Sequence, residues 1–165
     1  LGTDLKFWEL GGFFQEGRRW LQRTLEGTQE SVSIQRAQAL LAAAELSSAI
    51  SDFDYGLQCV RQAQQLFQQL GDQRGEIDAR LMVCDLARYT GKLAHLQTQI
   101  EEALHMAEQM SYTAGLAKGK QLLAINIVYT TGEIEAAIQY DLGITLRRAA
   151  HSPPFGPAAR ICLLI

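Results

Sequence analysis

The chain has 165 residues, 47% of them hydrophobic and 20% charged, with a formal net charge of -3. That length supports one sizeable domain with a core of its own, and the small negative charge supplies no electrostatic reason to expect nucleic acid or an anionic membrane as partner. No run approaches the roughly 18 consecutive apolar residues of a membrane span. The cysteines, Cys59, Cys84 and Cys162, are odd in number, widely spaced and without a CxxC pair, which argues against a disulfide framework or a zinc site.

The opening Leu1-Gly2, in place of Met and without a signal-peptide pattern, reads as a domain cut from a longer protein or a chain whose first residues are missing. After Gly11-Gly12 the first helical run is predicted over Phe14 to Glu26. A second covers Ile34 to Ala49, with Ser31 or Ser33 as its cap. Its Leu40-Leu41-Ala42-Ala43-Ala44 is apolar all round and therefore packed on more than one face. The turn Ser51-Asp52 leads into Phe53 to Leu70, where Leu57, Val60, Arg61, Gln64 and Phe67 recur at helical spacing. Gly56 and Ala63 keep one side of that helix small, while Phe53, Val60 and Phe67 fill the gaps between helices.

Gly71-Asp72 is a helix stop, with Gly71 suited to a left-handed C-cap. Further runs are predicted over Gly75 to Tyr89, Leu93 to Met110, Ala114 to Tyr129 and Ile134 to Ala150, the second striped by Ile100, Ala103, Leu104, Ala107 and Met110. All three prolines, Pro153, Pro154 and Pro157, come after these runs. Residues 151–165 form a tail that either starts another helix pair or packs over the array. The turn markers Gly12, Asp52, Gly91 and Gly132 recur at intervals of 40, 39 and 41 residues. An all-α chain of antiparallel helix hairpins, repeating about every forty residues, follows from that spacing.

The order Arg36-Ala37-Gln38-Ala39-Leu40, then Asp52-Phe53-Asp54-Tyr55-Gly56, then Leu66-Phe67-Gln68-Gln69-Leu70-Gly71-Asp72 resembles the tetratricopeptide repeat. It is similar in particular to the repeat regions of MalT-like and LuxR-type bacterial transcriptional regulators and related signalling NTPases. The resemblance covers roughly residues 5 to 150 and implies a right-handed superhelical solenoid. Its units are a partial repeat at 1–30 and repeats at 31–72, 73–112 and 113–150. Ala44, Gly56 and Ala63 match the small packing positions of the second unit, and Cys84, Leu96 and Ala103 those of the third. Ile144 and Asp141 depart from the pattern in the fourth.

No HExxH, no Walker A loop and no strand-borne GxGxxG is present. His95, His105 and His151 have no clustered partners, and His95 and His105, ten apart, lie on different sides of one helix. The carboxylates Asp52, Asp54, Glu133 and Glu135 flank helix starts, where negative charge is favourable. A chain without a catalytic set, metal or cofactor is therefore expected to be no enzyme. Cysteines at helical core positions fit a reducing cytoplasm.

What remains is surface. The resemblance places the first helix of each pair on a concave face, which makes Gln38, Glu45, Ser48, Asp85, Arg88, Tyr89, Asn126 and Tyr129 the candidate binding residues. Leu81 and Leu122 serve either as core or as ligand contacts. Tyr89 and Tyr129 stand out because tyrosine joins rigid area to a polar handle. Arg18, Arg19 and Arg23 form a secondary basic patch, which either pairs with Glu16 and Glu26 along its own helix or meets an acidic partner. The expected role is a non-catalytic scaffold for a protein or peptide, part of a larger bacterial signalling or transcription regulator. Two other roles stay open: a sensory module for a small-molecule effector, and a structural spacer whose exposed ends promote homo-oligomers.

Overall fold

The computed structural model describes residues 13–27, 31–91 and 95–132. Six α-helices lie within them: α1 (Phe14–Glu26), α2 (Ile34–Ala49), α3 (Phe53–Leu70), α4 (Gln73–Tyr89), α5 (Leu96–Gln109) and α6 (Thr113–Thr131). The first three coincide with the runs read from apolar spacing. α4 starts two residues before the expected Gly75 because Asp72 is its cap, its carboxylate accepting from the Gly75 N–H at 3.1 Å. α5 starts at Leu96, after His95 in the left-handed region (φ 64°). The helix expected at Ile134 to Ala150 and the tail 151–165 lie outside the described residues.

Three hairpin turns share one construction. At Ser51, Gly71 and Ser111 the backbone turns left-handed, with φ of 62°, 68° and 52°. The next residue sends its N–H back five positions: Asp52 to Ser47 O at 2.8 Å, Asp72 to Phe67 O at 2.9 Å and Tyr112 to Ala107 O at 2.8 Å. The left-handed residue itself donates three positions back. This is the Schellman closure of a helix C-terminus. Here its last residue is also the N-cap of the following helix. Asp52 and Asp72 complete that role with their side chains, accepting from Tyr55 N and Gly75 N. Only two or three residues thus separate one helix from the next. Elsewhere Ser33, the second of the two candidate caps, accepts from Arg36 N. The Arg36 guanidinium reaches back to the Leu25 carbonyl at 2.9 Å, tying α2 to the end of α1.

Packing is closest where side chains are smallest. A Cβ added at Gly56 would meet Leu86 Cδ1 at 3.3 Å and the Ala44 carbonyl oxygen at 3.5 Å, so α3 approaches the backbone of α2 directly. α4 is the central helix. Ala79, Met82 and Leu86 enter a core shared with α1, α2 and α3, which includes Leu21, Leu40, Val60 and Phe67. Ile77, Leu81 and Cys84, offset around the same helix, enter a second core with Ile100 and Ala103 of α5 and Leu122 and Leu123 of α6. Leu81 and Leu122, left open between core and ligand, are buried core residues.

The elongated right-handed superhelical solenoid is not what the described residues form. Helices two apart in the chain pack directly, α2 on α4 and α4 on α6. The result is a compact all-α bundle of six helices around shared cores. The physical reason lies in the helices that are apolar on more than one side, α2 and α4 above all. Turn residues recurring every forty positions mark helix hairpins, and a compact bundle is built from hairpins too.

Candidate binding surface

The turn between α2 and α3 brings Phe53, the first residue of α3, beside the end of α4. There its ring stacks on Tyr89, with centroids 4.7 Å apart and planes 4° from parallel. The guanidinium of Arg88 lies over the Tyr89 ring, 4.8 Å from its centroid. Arg88 is held in turn by Asp85, one helical turn back: its Nε and Nη2 both donate to Oδ1. A weaker contact runs from Arg88 Nη2 to the Tyr89 hydroxyl at 3.4 Å. Burial works against the charge on Arg88, but the Asp85 carboxylate outweighs it and leaves the guanidinium more basic than usual. Tyr89 nonetheless remains 54% exposed. The outcome is an aromatic platform held by Phe53 and Arg88 and still more than half exposed to solvent.

A second cation–aromatic cluster adjoins it through the neighbouring residue. Arg18 of α1 donates to Asp52 Oδ2 at 2.6 Å and lies 4.5 Å from the centroid of the Tyr55 ring. Burial, with Cys59 adding to it, pushes the Tyr55 hydroxyl up to about 12. Burial likewise raises the Cys59 thiol and takes Cys84 to about 11. Such thiols are protonated core groups at neutral pH. A comparable arrangement holds the lower end of α4, where the Tyr112 hydroxyl donates to Asp78 Oδ2 at 2.9 Å under the guanidinium of Arg74. Among the described residues no group of three or more His, Cys, Asp or Glu side chains is arranged to hold a metal. Both His95 and His105 are exposed.

Of the residues singled out from the sequence, Asp85, Arg88 and Tyr89 are brought together in the platform. Gln38 is exposed on α2, and Glu45 and Ser48 of the same helix are half-buried. Tyr129 of α6 is 72% exposed, whereas Asn126, one turn earlier, is only 3% exposed and its Oδ1 has no hydrogen-bond partner among the described residues. The basic patch divides: Arg18 is tied to Asp52 rather than to Glu16 or Glu26, while Arg19 and Arg23 are exposed without an ion pair among the described residues. Phe53 was expected as a gap filler. It is half-buried and supplies the floor of the platform. Its position directly after a capping Asp was the available signal, since that fixes it at a helix entrance.

Comparison with protein-family models, with curated proteins and with solved structures finds no match to this chain. The resemblance to tetratricopeptide repeats of MalT-like and LuxR-type regulators is therefore withdrawn, and with it the signalling and transcription roles that rested on it. Small residues at helix crossings and turn residues between helices are demands of close helix packing in general. They carry no family mark by themselves.

Proposed function

We propose that the domain is a non-catalytic protein- or peptide-binding module anchored at the Tyr89–Phe53 platform. The observation that carries this reading is the combination at Tyr89 of wide exposure with a fixed ring, stacked on Phe53 and covered by Arg88. Contact residues that dominate binding are enriched in tyrosine and arginine. A side chain already held in place loses less conformational freedom on association. The strongly exposed Tyr129 supplies a further aromatic contact on α6. Arg88 and Arg18 are each engaged with a carboxylate, Asp85 and Asp52, in keeping with a recognition surface rather than proton-transfer chemistry. Buried thiols at Cys59 and Cys84 suit a reducing compartment.

The test is selection of a displayed random-peptide library on the full chain, followed by titration of the selected peptides. Tyr89→Ala is expected to weaken them by about tenfold or more while the far-UV circular dichroism melt of the domain stays close to that of the parent. Selected peptides that bind the Tyr89→Ala chain as tightly as the parent would sink the proposal.

A further inference from the structure

We draw no further inference here: the strongest candidate, the exposed aromatic strip that Phe13 at the start of α1 and Trp20 two turns along it present on one side of that helix, is an unpartnered apolar face, and nothing in the structure shows what covers it.

Discussion

Single residues decide how much of this domain is committed to its own cohesion and how much is left for contact. Tyr89 and Tyr112 both sit under an arginine, yet Tyr112 gives its hydroxyl to Asp78 and is half-buried, while Tyr89 stays open. Asn126 is a different case, a buried amide whose carbonyl oxygen is unmatched among the described residues. Replacing it by the similarly sized leucine removes that burden, and Asn126→Leu is expected to raise stability by about 1 kcal/mol, read as a higher urea midpoint. A lower midpoint would show that the amide is satisfied in solution. None of this was legible in the sequence. Tyr89, Asn126 and Tyr129 occupy similar places in their helices, and which of them is covered depends on partners far away in the chain. Arg18 makes the same point: pairing along its own helix was one expectation, and it pairs across 34 residues instead.

At the scale of elements, the turns carry a testable cost. Serine occupies the left-handed position at Ser51 and Ser111, where glycine sits in the third turn of the set, at Gly71. Non-glycine residues pay roughly 1–2 kcal/mol for that conformation, part of which glycine returns through its looser unfolded chain. Ser51→Gly and Ser111→Gly are each expected to stabilise by about 0.5–1 kcal/mol in urea titrations. Gly71→Ala is the control: a Cβ there meets nothing within 4 Å, so any loss reports backbone strain alone. A destabilising Ser51→Gly would mean that the serine side chain contributes something the geometry does not reveal. Elements were the most legible level. Apolar spacing located α1, α2 and α3 at the residues observed, because period and caps are local properties. It misplaced the start of α5, where a left-handed His95 precedes the helix and no residue type announces it.

For the whole molecule, the informative fact is that α4 belongs to both cores. Local patterns show that such a helix is apolar on two sides, but they do not show which neighbours take those sides. That is why hairpin periodicity suggested an extended array and direct packing of next-but-one helices produced a bundle instead. The shared helix should make unfolding one event. Leu81→Ala, in the second core, is expected to cost about 2–5 kcal/mol. It should also lower amide-exchange protection in α2 and α3 as much as in α5 and α6, measured by mass spectrometry. Protection lost in α5 and α6 alone would reveal two independent units.

Asp52 closes the α2 helix, caps α3 and receives Arg18 from α1. Three obligations on one small acid leave it little room for neutral drift. Glutamate is a carboxylate but too long for the cap, and asparagine keeps the cap but gives up the charge. Position 52 should therefore tolerate fewer replacements than its half-exposed setting suggests, and position 18 should change mainly in step with it. Heritable variation at this corner of the domain would then be paired rather than independent.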